Sequence, residues 1–334
     1  MPEQSTIDWD PHDPAVLRDQ RSAYDRLRER CPVAYSTPLG WSLFRHADVV
    51  LVVDDPKTFV NASRHHAIPN AMNGEEHRVH RALLARHFGD DVMAAVEPRS
   101  HAIAQEVVDA ARREGTVEAV SAIAEPIALR TMCAFLGWPD ATWTRVRDWI
   151  HGNREATFRR DRDAARRLAE EYASMVRDAV ADHRRRGVED DITGKLMRTE
   201  LGGRRWTDDD IIATLRNWIA GHGTVAAAIS IVLHHLAEDQ ALQKALRERP
   251  KLIPAACEEI LRADGPLVAN SRTATRDVVL GERQVRAGDR ISLMWIAANR
   301  DPQAFEAPDE IRLDRNQEDS LLYGRGVHYC LGAP

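Results

Sequence analysis

Leu321-Leu322-Tyr323-Gly324-Arg325-Gly326-Val327-His328-Tyr329-Cys330-Leu331-Gly332 is the stretch from which the rest of the chain can be read. Three glycines, a histidine and one cysteine share a short turn. Glycine removes the Cβ that would strike a close neighbour and opens φ > 0. A backbone of this kind suits close passage by a bulky planar group with the sulfur aimed at it. Cys330 is then a candidate thiolate metal ligand, and with no second Cys or His at zinc spacing it suits haem iron better than zinc. Taken alone, the stretch fits equally well an ordinary glycine-rich turn with a buried cysteine, since free cysteine is among the most buried residue types.

The full string resembles the haem-binding loop of the cytochrome P-450 family, an aromatic followed by Gly-x-Gly-x-His-x-Cys-x-Gly. Tyr323 stands where that family usually has Phe, and every other fixed position matches. The resemblance implies that Cys330 is the axial thiolate, which pushes electron density onto iron and favours O–O cleavage. It places Tyr323, Gly324 and His328 at the cofactor as well.

Upstream of the loop, Ala297-Ala298-Asn299-Arg300-Asp301-Pro302 and on to Phe305 match the family closely. The stretch 266–275 is extended, and 278–285 alternates around a Gly turn, so a small sheet is expected here, with a further strand over 291–295. By resemblance Arg272 holds a haem propionate, while Val268 and Ala269 border the substrate pocket. Glu259 and Arg262 lie at i, i+3 on a helix and face the same way. Such pairs are common, but this one stands where the family has Glu-x-x-Arg, with Arg315 as the third, structural member.

A long helix is expected from Asp208 to about Ala237. Thr207 and Asp210 form a capping box, and about 30 residues at 1.5 Å each give a rod of about 45 Å. It reads as too weakly charged for a coiled coil and too weakly apolar for a membrane span. At its centre, Ala220-Gly221-His222-Gly223-Thr224 places two glycines where each is unfavourable by about 1 kcal/mol relative to Ala. Close approach of a flat ligand or of another helix offsets that cost. The string resembles the family's oxygen-groove motif Ala-Gly-x-acid-Thr, with Ala220, Gly221 and Thr224 matching and Gly223 in place of the acid. The resemblance gives Thr224 the task of steadying bound oxygen and leaves His222 or a water chain to replace the acid in proton delivery.

Nearer the start, 75–88 reads as a helix with acids in its first turn. His77 and Arg81 share a face of it, either as part of a solvated basic surface or, by resemblance, as the family's propionate-binding pair. The aperiodic segment 59–74 is a loop, which by resemblance roofs the pocket around Ile68. One helix is expected from Asp13 to Arg30, then a hairpin over 33–36 and 40–44 and a helix over 45–54. From 91 to 182 the chain is nearly all helical, with breaks expected at Pro98, Gly115, Pro126 and 137–139. Arg145 to Arg186 reads as a salt-bridged solvent face rather than a nucleic-acid surface.

With 334 residues, 43% of them hydrophobic, the chain is able to bury a large core. The four cysteines form no paired framework, a net charge of −6 speaks against nucleic acid as the main partner, and the N-terminus has no basic, apolar leader. A cytoplasmic protein without a membrane partner is the expectation. The resemblance covers nearly the whole chain. It implies a mainly α fold with a small β region, the triangular helical prism of cytochrome P-450, as a single haem-binding domain over 1–334. The family's helix and sheet beyond the cysteine loop are absent from this sequence. It further implies haem b (iron protoporphyrin IX), O2, a small organic substrate, and ferredoxin with ferredoxin reductase as separate electron donors docking near Arg78 and Arg325. The competing expectation is a non-catalytic haem or small-molecule binding protein, favoured by Gly223 and by the short ending.

Overall fold

The computed structural model describes residues 7–62 and 66–333. Its helices are α1 (Pro14–Arg18), α2 (Gln20–Arg30), α3 (His46–Asp54), α4 (Gly74–Ala85), α5 (Asp90–Glu114), α6 (Glu125–Leu136), α7 (Thr142–Arg159), α8 (Arg162–Arg186), α9 (Ile192–Met197), α10 (Asp208–Glu238), α11 (Gln240–Glu248), α12 (Ile253–Ala263) and α13 (Trp295–Ala298). Its strands are β1 (Val33–Ser36), β2 (Gly40–Leu43), β3 (Phe59–Val60), β4 (Glu200–Leu201), β5 (Arg204–Arg205), β6 (Ala269–Ala274), β7 (Val278–Leu280), β8 (Arg283–Val285) and β9 (Arg290–Met294). The fold is therefore mainly helical with a small β region, as expected. It comprises two compact units, one of Met1–Arg64, Ala71–Arg78 and Ile231–Ala333, the other of His65–Asn70 and Val79–Ser230.

The first unit holds a sheet in the order β1-β2-β9-β6-β3, in which β2 and β9 run parallel and the other neighbours antiparallel. Leu43, Val49, Ile291, Leu293 and Leu321 are buried together against it. Because Leu321 belongs to this core and its N–H donates to Asn299 Oδ1 (2.7 Å), the start of the cysteine loop is fixed to the sheet. Glu259 and Arg262 of α12 are wholly buried, and Arg315 closes the group through its Nε on Glu259 Oε1 (2.7 Å). In the second unit α7 and α8 form an antiparallel pair, with Trp149 Nε1 donating to Leu168 O (2.9 Å).

Three expectations are corrected. The helix read from Asp13 to Arg30 is broken at Asp19, whose carboxylate accepts from Ser22 N (3.1 Å) and so starts α2 as a new helix. Pro98 does not break α5; the carbonyl it frees is that of Ala94, which is exposed and so available to water. By length and composition α10 is sufficient to cross a membrane, because residues 217–237 contain no Asp, Glu, Lys or Arg. The long core helix of a soluble protein meets the same requirement.

Candidate functional site

In the first unit the cysteine loop is held by its own backbone. Gly324 and Gly326 both take φ of +70°, and a Cβ on Gly326 would stand 3.3 Å from Val53 O, so glycine is required there on two counts. Cys330 N donates to Tyr323 O (2.9 Å), closing the turn, and the Cys330 side chain is free and exposed. The rings of Tyr323 and Tyr329 meet edge-on at 6.1 Å. Burial, then nearby Glu258, Tyr329 and Cys330, pushes the Tyr323 phenol up.

His328 of the loop packs on His77 of α4 with ring centroids 4.0 Å apart, and His77 is buried. Asn61 Nδ2 lies 3.3 Å from both ring nitrogens of His328. Asn61 is in turn clasped by Asn73, through Asn61 N to Asn73 Oδ1 and Asn73 Nδ2 to Asn61 O, both 2.8 Å. Sequence reasoning missed these two asparagines. The only signal was the density of Asn in an otherwise aperiodic loop.

Arg272 on β6 is buried at 8% exposure, and its Nη1 donates to Ser271 O (3.0 Å). Among the described residues it makes no ion pair, and burial lowers its pKa. A guanidinium withdrawn from water without a carboxylate calls for an anion. Val268 and Ala269 are half-buried and pack beside Phe44 and Met294. Arg78 and Arg325 are each already engaged, with Glu75 (2.5 Å) and Asp54 (3.2 Å) respectively.

In the second unit, α10 presents two glycines with different surroundings. A Cβ on Gly221 would meet nothing within 4 Å, and Ala220 and Gly221 are exposed. A Cβ on Gly223 would lie 3.2 Å from Ile150 Cγ2 of α7. Both expected reasons for an interior glycine are thus present, an open flat face at one and helix packing at the other. His222 Nδ1 donates to Trp218 O (2.7 Å), which leaves Nε2 as the acceptor of a neutral ring, and burial lowers its pKa. Thr224 is half-buried. Ile68 is buried and its N–H donates to Ala213 O (3.3 Å). Arg81, four residues after His77 on α4, is half-buried.

Among the described residues no cluster of three His, Cys, Asp or Glu is able to hold a metal ion. A porphyrin brings its own nitrogen ligands to a metal bound through a single thiolate such as Cys330. Within the first unit, an exposed thiol on a rigid loop and the buried guanidinium of Arg272, which makes no ion pair among the described residues, fit a flat, anionic-edged macrocycle.

The sequence profile described as Cytochrome P450 matches residues 138–334. Cyclomarin C epoxidase CymV of Salinispora arenicola (strain CNS-205) is 31% identical, over 95% of this chain and 83% of the relative. Nocardicin C N-oxygenase of Nocardia uniformis subsp. tsuyamanensis is 30% identical, over 96% and 85%. Among solved structures, CalO2 superposes with a TM-score of 0.86 at 28% identity, covering 98% of this chain and 87% of that one. CYP109E1 from Bacillus megaterium in complex with testosterone gives 0.82 at 26% identity, covering 94% and 86%.

Proposed function

This chain belongs to the cytochrome P450 family, and from that premise we propose that it is a haem b monooxygenase placing one oxygen atom of O2 into a small organic substrate. The bound haem supplies activation of O2 at iron, with two electrons delivered in single steps. Cys330 gives the thiolate ligand. His77, Arg81, Arg272 and His328 neutralise the two propionates, with Asn61 orienting the His328 ring. Tyr323 and Gly324 would help hold the cofactor. With haem bound, Ala220 and Gly221 would leave room for the cofactor and for O2, the Thr224 hydroxyl would be the hydrogen-bond donor of the groove, and His222 Nε2 would hold or pass a proton. Gly223 contributes space rather than an acid. Ile68, Val268 and Ala269 bound the substrate, and Glu259, Arg262 and Arg315 keep the surrounding core rigid. On this reading residues 1–334 are one haem-binding domain, working in the cytoplasm with ferredoxin and its reductase as electron donors.

The observation that carries this reading is Cys330, a free, exposed thiol at the end of a loop pinned by Leu321 and Gly326. The test is the difference spectrum of reduced, CO-bound protein reconstituted with haem. The expected result is a thiolate-type band in the parent chain that is lost in Cys330→Ser. A band unchanged by that substitution would overturn the assignment. The second reading, a haem binder without turnover, is favoured by Ile150 standing where a side chain at position 223 would reach. Oxygenated product formed with a ferredoxin system decides against it.

A further inference from the structure

The connection between α7 and α8 carries a surface that the haem chemistry does not use. Phe158, in the last turn of α7, is 63% exposed, the highest value among the large hydrophobic side chains of the described residues. Residues 154–167 hold six arginines against three carboxylates. Each carboxylate is spent locally: Glu155 on Arg159 (2.9 Å), Asp163 on Arg166 (3.4 Å), and Asp161 on the N–H groups of Asp163 and Ala164 at the start of α8. Arg154, Arg160, Arg162 and Arg167 make no ion pair among the described residues and are exposed. The same helices behave differently away from the connection, where Arg145, Arg177, Arg184 and Arg186 are all paired with aspartates.

Gly152 faces Leu168 across the helix pair, so Arg154 and Arg167 stand on the connection side of that contact, and Arg160 and Arg162 lie at the connection itself. Arg154 shares a helix face with Phe158. Arg160 has φ of +55°, a conformation usually given to glycine after a helix. Here it carries an exposed guanidinium instead.

We propose that this tip is a docking surface for a small protein with an acidic face. Arginine grips carboxylates with two parallel hydrogen bonds, and aromatic and arginine side chains are both enriched at protein interfaces. On a chain of net charge −6, a local cationic cluster gives an acidic partner one favoured approach. A bilayer is a poorer match, since one aromatic side chain offers too little apolar area to hold a membrane. A nucleic-acid backbone would meet the interleaved carboxylates.

The test titrates the full chain with holo acyl carrier protein, a small acidic helical probe, at low and at physiological salt, with phosphatidylglycerol vesicles in parallel. Saturable binding to the protein probe that weakens with salt is expected. The combined change R154E/R160E/R162E/R167E should weaken it at least about tenfold, and Phe158→Ala about fivefold. Arg160→Gly should weaken binding without lowering the thermal midpoint, which separates docking from folding. Absence of binding, equal binding by the charge-reversed chain, or binding to the vesicles alone would overturn the proposal.

Discussion

Glu259 shows how much one carboxylate organises. It is wholly buried and accepts from Arg262 Nε (2.8 Å) and Nη2 (2.9 Å), Arg315 Nε (2.7 Å), Gln317 Nε2 (2.9 Å) and Arg312 N (3.1 Å). Burial raises its pKa, but the hydrogen bonds from Arg262, Arg315 and Gln317 outweigh that and hold it at about 2. A carboxylate depressed in the folded state stabilises above its unfolded pKa of about 4.3, and the contribution is lost as pH falls toward 2. Glu259→Gln removes the charge and strands two guanidinium groups, which should cost about 3–5 kcal/mol at neutral pH. Urea unfolding of both chains is expected to show that gap at pH 7 and a markedly smaller one near pH 3. An equal gap at both would mean the carboxylate is not held ionised. That Glu259 and Arg262 face the same way was legible from their spacing, and their structural role only through the family resemblance. Arg315 came only through the family resemblance, and Gln317 and the Arg312 N–H not at all, since no local periodicity brings distant residues onto one carboxylate.

The long helix α10 is legible as an element, and the capping box that starts it is present, with Thr207 N on Asp210 Oδ2 (2.7 Å) and Asp210 N on Thr207 Oγ1 (3.3 Å). What its two glycines do was not legible, because the answer for Gly223 lies on another helix in Ile150. The difference is measurable. With nothing near its missing Cβ, Gly221→Ala should stabilise the haem-free chain by up to about 1 kcal/mol through helix propensity. It should also weaken haem retention, if the ring lies against that face. Gly223→Ala gains the same propensity but presses on Ile150 at 3.2 Å, so its net change in urea midpoint should be smaller or reversed in sign. Equal gains for the two variants would show that the α7 contact is not felt. Local rules misled at Asp19 and Pro98 for a related reason. A side-chain cap outcompeted helix continuation at the first, and an exposed carbonyl made the proline tolerable at the second.

For the molecule as a whole, the cysteine loop and the order of motifs around it made the fold class readable, while the polar groups that set its response to acid had to be seen in place. His87, between α4 and α5, is 3% exposed, lies 6.2 Å from the Trp218 ring, and among the described residues its Nε2 has no hydrogen-bond partner. Burial, then the charges of Arg86 and Lys195, pushes its pKa down to about 4. The unfolded chain, with this histidine near 6.5, therefore binds more protons than the folded one across that interval. Stability should fall as pH drops from about 6.5 to about 4, by at most about 3 kcal/mol. That is a large share of the roughly 5–15 kcal/mol that holds a domain. Glu259 and Asp210, the latter also held at about 2 with its burial outweighed by Arg204 and Thr207, take over below this range. Acid unfolding should thus have two stages with separate owners, one on a buried neutral base and one on ionised acids. His87→Phe should flatten the dependence of the urea midpoint between pH 6.5 and 4 and leave the lower stage intact. Glu259→Gln should do the reverse. An unchanged upper stage in His87→Phe would show that this histidine is not the group kept neutral by the fold.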